Sequence, residues 1–213
     1  LIASDALTEI TLARAAKQLA QRDRDLGSIL EKLGPPPLWA RRPGFPTLVK
    51  IILEQQVSLA SAASMFARLK KNVVPFHPAR MLELGGAHLK SLGLTRQKTA
   101  YCLHLAQSLT EKRLRLAQLS RMSDIDARAA LLELKGIGPW SADIYLLMAL
   151  GRPDIWPTND LALAIAITEL RQLTGRPNSN QIAEMAEAWR PYRSVAARML
   201  WQYYLARRNE NGK

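Results

Sequence analysis

Cysteine is almost missing from this 213-residue chain, where Cys102 stands alone. An internal disulfide, a four-cysteine iron–sulfur cluster and a cysteine-based zinc site are therefore excluded by count. Histidine is nearly as scarce: His77, His88 and His104 are scattered, lack metal-ligand spacing such as HExxH, and read as surface or packing residues. Long apolar runs are lacking too. The longest, such as Leu161–Ile167, fall far short of the ~20 residues that a membrane-spanning helix needs. No signal-peptide pattern opens the chain, and no stretch alternates convincingly as a strand. Acidic residues are outnumbered, 18 against 30 Lys and Arg, for a formal net charge of +12 and a pI near 10.3. That excess is more than solubility requires and points to a polyanion, with nucleic acid favoured over a membrane surface.

What is present is a helical pattern. With 48% hydrophobic and 23% charged residues, the composition is that of a folded globular protein rather than a disordered chain or a coiled coil. Apolar residues recur at helical intervals, which predicts an all-α fold of roughly ten helices without internal repeats. Glycine and proline punctuate it. The Pro-rich stretch 34–46 and the Gly151–Pro157 loop mark the expected lobe boundaries. A central helical lobe of residues 45–150 and a second lobe of residues 1–44 plus 151–213 follow from them.

Leu48, Ile52, Gln55, Leu59, Ala62, Phe66 and Leu69 are spaced alternately by four and three, predicting one face of a single helix. Gln55 interrupts this stripe, and a buried amide needs partners. Either it bonds a neighbouring loop or the face borders a cavity, in which case Gln56, one position round, projects from the rim and could enter a base stack. A second helical pattern, through Ile125, Ala129, Leu132 and Leu134, stops at Lys135-Gly136-Ile137-Gly138-Pro139, and another starts near Trp140. Two glycines around one apolar residue allow φ > 0 and close approach. Pro139 suits a first helical turn. The main-chain N–H groups of such a turn can hold a phosphate without reading sequence. Lys135, Gly136, Ile137, Gly138 and Ser141 are the candidate contacts to a DNA backbone, with a plain αα corner as the alternative. Trp140 either seals the joint between hairpin and core or stacks on a flipped base.

Helix 140–150 would run outward for ~16 Å. The loop 151–158 could span up to ~26 Å, enough to return Asp160 to the hairpin. Thr158 or Asn159 is a reasonable N-cap, placing Asp160 in the first turn of the buried helix LALAIAI, where an anion is stabilised. It is either an ordinary helix-start aspartate or a carboxylate poised to stabilise a cationic sugar. Asp154 competes weakly from the loop, and Asp143 on the second hairpin helix reads as solvated or capping.

These segments together resemble the helix-hairpin-helix (HhH-GPD) DNA glycosylase superfamily, in its alkylbase branch, that of DNA-3-methyladenine glycosylase II. The likeness runs through GPPPLWARRPGF (34–45), ILEQQVSLASAA (52–63), GLTRQKTAYCLHLA (93–106), LKGIGPWSADIYLLMALGRPDIWPTNDLAL (134–163) and WRPYRSVAARMLW (189–201). It implies a two-lobed helical bundle with a helix-hairpin-helix over about 126–150, an active-site cleft between the lobes and no N-terminal β-rich domain. It also implies a monomer that acts on double-stranded DNA with alkylated bases, in the nucleoid of a bacterium or the nucleus of a eukaryote.

By this resemblance Asp160 is the catalytic aspartate, and Trp140, Gln55, Trp201 and Trp39 line the base pocket. Gln56 is the wedge that fills the gap left by the extruded nucleotide. Hairpin carbonyls of Leu132, Leu134 and Ile137 would hold a monovalent cation, Na⁺ or K⁺, with no cofactor required and no iron–sulfur cluster. Trp140 stands where lyase-active relatives carry a lysine, so the Schiff-base nucleophile is missing and hydrolysis of the N-glycosidic bond without strand cleavage is expected. Ile144 replaces a tyrosine one helical turn beyond, which alters the pocket wall. The expected substrate is an alkylated purine of the 3-methyladenine or 7-methylguanine type. The rivals are a glycosylase for hypoxanthine or an oxidised base, and a non-enzymatic DNA-binding module.

Overall fold

The computed structural model describes residues 6–211, so the first five and last two residues of the expected second lobe lie outside the described residues. Among the described residues every regular element is helical: twelve α-helices and one π-helical turn. Among the described residues no helix is long and apolar enough to cross a membrane. The chain separates into two compact units, Arg41–Tyr145 and a second made of residues 6–40 and 146–211.

The first unit holds α3 (Phe45–Glu54), α4 (Leu59–Asn72), α5 (Pro78–Ser91), α6 (Arg96–Thr110), the short α7 (Leu116–Leu119), α8 (Asp124–Leu132) and α9 (Pro139–Ile144). α3 is its centre. Leu48, Val49, Ile51, Ile52 and Leu53 are all fully buried, so the helix is apolar nearly all round and packs on α4, α6 and α9. Each such side chain contributes roughly 1.5–3 kcal/mol of burial. Side chains start these helices where the chain offers them: Ser58, His77, Thr95 and Ser123 each accept a first-turn N–H. Gly85-Gly86, which reads as a break in the sequence, only bends α5, with Gly85 at φ 70°.

The second unit contains α1 (Glu9–Arg22) and α2 (Arg24–Leu33), followed after the first unit by α10 (Leu161–Leu170), α11 (Ser179–Glu187) and α12 (Arg193–Asn211). α12 packs on α1, α2 and α10 through Val195, Ala196, Met199 and Leu200. Asp23 caps α2 and also accepts from the Trp189 indole N–H at 2.8 Å and from Arg171 at 3.2 Å.

The unit boundary falls at Tyr145/Leu146, earlier than residue 150, and the expected helix 140–150 is not one α-helix. It changes at Tyr145 into a π-helical turn, Tyr145–Ala149. Carbonyls there are taken by the second unit's own groups: Leu146 by the Arg152 N–H at 3.1 Å and Leu147 by the Arg198 guanidinium at 2.9 Å.

Candidate functional site

The first unit carries the hairpin. α8 and α9 are joined by residues 133–138, whose turn is closed by Ile137 N–H donating to the Leu134 carbonyl at 2.9 Å. Three of the four residues in the stripe read from the sequence point outward: Ile125 is 76% exposed, and Ala129 and Leu132 are also exposed, whereas its last member, Leu134, is buried. Ala127, Leu131, Leu134 and Ile137 face inward instead. Two apolar stripes share this helix, and periodicity does not say which one meets the core.

The two hairpin glycines are there for different reasons. Gly136 lies at φ 91°, and a Cβ on it would overlap the Tyr101 ring of α6, so both backbone and packing demand glycine. Gly138 has φ −89° and ψ −179°, open to any residue, and a Cβ there would meet nothing. It forms the N-cap of α9 without a side-chain cap, ahead of Pro139. Lys135 is exposed beside it, and Trp140 is half-buried at the second position of α9.

Gln55 does not lie within a helix. α3 ends at Glu54, Gln55 is its C-cap, Gln56 takes a left-handed φ of 57°, and Ser58 starts α4. The single stripe through residues 48–69 is thus two helices, and Leu59, expected on the buried face, is 65% exposed. The Gln55 amide donates to the Gly136 carbonyl at 2.8 Å and to Ser141 Oγ at 2.9 Å. Both amide protons are committed to the hairpin, as the loop-bonding alternative expects. Ser141 is buried at 2% exposure and takes the Gln55 amide, so it serves the inside of the hairpin and not its surface. Gln56 is exposed at the turn.

Asp143 corrects another expectation. It is 2% exposed and neither solvated nor a cap: Arg128 of α8 donates to it through Nε at 2.6 Å and through a terminal nitrogen at 3.4 Å. This pair ties the two hairpin helices together, and hydrogen bonding to the Asp143 carboxylate raises the pKa of Arg128 further. A carboxylate in the apolar run that follows Pro139 was the only signal in the sequence.

The second unit carries the carboxylate. Asp160 is itself the N-cap of α10, in place of Thr158 or Asn159: its Oδ1 accepts the Leu163 N–H at 2.9 Å. The same oxygen accepts the Trp201 indole N–H at 3.2 Å. Trp201 meets Trp39 edge to face at 6.4 Å, with Trp39 held at φ 47°. On its other side Asp160 borders a cavity of about 170 Å³ walled by Trp156, Pro157, Leu163 and Ile182. A half-buried carboxylate is thereby held by the Trp201 indole at the edge of a largely apolar cavity.

The loop that delivers Asp160 is fastened to α12. Asp154, the weaker competitor, is spent on Arg193 at 3.0 Å and Arg190 at 2.9 Å, while the Ser194 hydroxyl accepts the Ile155 N–H at 2.9 Å. Sequence reading missed Arg198, which donates to the carbonyls of Leu38, Ser194 and Leu147 at 2.9, 3.0 and 2.9 Å. Burial pushes its guanidinium down to about 10, opposed by Glu9. It anchors the residue before Trp39 one helical turn from Trp201. An arginine within the apolar run VAARMLW was the available signal.

Comparison with known proteins follows from this geometry. The family described as HhH-GPD superfamily base excision DNA repair protein matches residues 49–191. The Bacillus subtilis protein YfjP is 30% identical, over 83% of this chain and 64% of its own length. A Bacillus subtilis DNA-3-methyladenine glycosylase is 29% identical, over 74% of this chain and 56% of its own. The chain thus spans about three fifths of these relatives. A Schizosaccharomyces pombe 3-methyladenine DNA glycosylase, solved in complex with abasic DNA, superimposes with a TM-score of 0.82 over 89% of this chain and 95% of its own. At 21% identity that likeness is one of fold.

Proposed function

Because the chain belongs to the HhH-GPD superfamily of base excision DNA repair proteins, we propose that it is a monofunctional DNA glycosylase for alkylated purines, acting as a monomer on double-stranded DNA. The observation that carries this reading is Asp160: an N-cap carboxylate held by the Leu163 N–H and by the indole of Trp201, whose ring in turn meets Trp39.

In the proposed reaction the hairpin holds backbone phosphates through main-chain N–H groups, with Lys135 and the open surface at Gly138 admitting them. Gln56 fills the gap left by the flipped nucleotide, and Trp39 and Trp201 of the second unit offer faces for the extruded base. The C1′–N bond breaks with its electron pair going to the base, which neutralises the positive charge of an alkylated purine. Such a base leaves without a protonating acid. The Asp160 carboxylate stabilises the oxocarbenium-like sugar by its charge, and water adds to C1′ and releases its extra proton to solvent, which completes hydrolysis. Trp140 cannot form a Schiff base, which supports hydrolysis without strand cleavage.

A monovalent cation fits the hairpin carbonyls of Leu132, Leu134 and Ile137. Carbonyl oxygens are hard donors, and Leu134, after accepting from Ile137, keeps a second lone pair. The ion would supply positive charge beside a phosphate.

The test is release of base from methylated duplex DNA by the wild type and by Asp160→Asn. Release by the wild type alone, leaving intact abasic strands, is expected. No release by either, or equal release by both, overturns the proposal.

A further inference from the structure

Helix α6 joins the two parts of the first unit that the proposed function uses, the turn bearing Gln56 and the hairpin. Tyr101 of α6 lies against Gly136 so closely that a Cβ there would overlap its ring. One helical turn earlier, Lys98 is only 8% exposed, and its ammonium donates to the Leu53 carbonyl at 2.6 Å. Gln55 closes the circuit by bonding Gly136 and Ser141. Burial lowers the pKa of Lys98, opposed by the neighbouring Cys102 thiol.

A buried cation is costly where an apolar residue would serve packing alone. What the ammonium does at Leu53 is specific. In a continuing α-helix the Leu53 carbonyl would accept the Val57 N–H, four residues on. Lys98 takes that carbonyl instead, facing the negative end of the α3 dipole. Released from the helix, the chain turns at Gln56 with φ 57° and starts again at Ser58.

We propose that Lys98 is a positioning residue for the DNA wedge: by capping α3 at Leu53 it holds the 55–58 turn open and keeps Gln56 projecting. This rests on the glycosylase reading. A wedge matters most where a paired nucleotide must be forced out and least where pairing is already lost.

Single-turnover base release by the wild type, Lys98→Met, Gln56→Ala and the double variant tests it, on duplexes carrying the lesion paired or mispaired. Lys98→Met is expected to slow release about tenfold at the paired lesion and less than about threefold at the mispaired one. In the Gln56→Ala background it should add less than about twofold, because both changes remove one device. Equal losses at the two lesions, or losses that add fully, overturn the proposal. Where melting shows that the methionine variant does not fold, Lys98→Gln, which keeps polarity but not reach, takes its place in the same arms. A wild type that releases no base removes the glycosylase reading itself, and this inference with it.

Discussion

Two helices of this molecule begin in opposite ways. α9 starts on Gly138, which offers no side chain to its first turn, while α10 starts on Asp160, whose carboxylate accepts the Leu163 N–H. The backbone physics at both is the same: unpaired N–H groups and the positive end of a helix dipole favour an anion. At α10 the protein supplies that anion itself and adds the Trp201 indole as a second donor. At α9 the N-cap residue offers no side-chain bond, and a Cβ on Gly138 would meet nothing. One start stores a negative charge, whereas the other has none of its own at the cap. In the proposed reaction these are the charge that stabilises the cationic sugar and the grip on the phosphate.

The contrast breaks most sharply at Asp160. Asn caps a helix about as well as Asp, so Asp160→Asn should leave the melting temperature nearly unchanged while base release falls by about a hundredfold or more. A parallel loss of stability would mean that the carboxylate serves only the fold. Next comes the pair of glycines. Gly136→Ala should cost about 3 kcal/mol in denaturant unfolding, through its positive φ and the Tyr101 ring. Gly138→Ala should leave stability intact and weaken duplex binding several-fold. Equal melting temperatures for the two would erase the distinction drawn between them.

Trp201→Phe keeps an aromatic wall and removes the indole donor to Asp160. About tenfold slower base release is expected, in line with the loss of one hydrogen bond to a charged group, with binding to undamaged duplex unchanged. A matching loss in binding would make Trp201 a general packing residue. The smallest effect is at Lys135. Its replacement by alanine should lower affinity modestly and make the slope of log affinity against log salt less negative by about 0.9. An unchanged slope would remove Lys135 from the phosphate contacts.

Much of the α10 start was legible before the structure, and little of the Gln55 turn was. Asp160 sits between a loop and an apolar run, so its place at a helix start follows from local pattern, with an error of one or two positions in naming the cap. Gln55 was placed inside a helix because residues 48–69 keep a helical period across the break. The residue that stops α3, Lys98, lies 45 positions away, and the Gly136 carbonyl that takes the Gln55 amide lies 81 away. Asp143 and Arg128, 15 apart, are paired only because the hairpin folds back on itself.

By itself the sequence determined an all-helical, strongly basic chain without the ligands for cysteine or iron–sulfur chemistry, a Gly-Ile-Gly-Pro corner between helices, a tryptophan at 140 and an aspartate opening α10. Those are matters of composition and short-range spacing, which local backbone preferences and periodicity express directly. Tertiary structure alone decided which stripe of α8 faces inward, where α3 ends, that helix 140–150 turns π-helical at Tyr145, and that Asp143, Arg198 and Lys98 are buried. The reason is physical: periodicity tells which residues share a face, but the partner that satisfies a buried amide or charge is chosen by packing between distant segments.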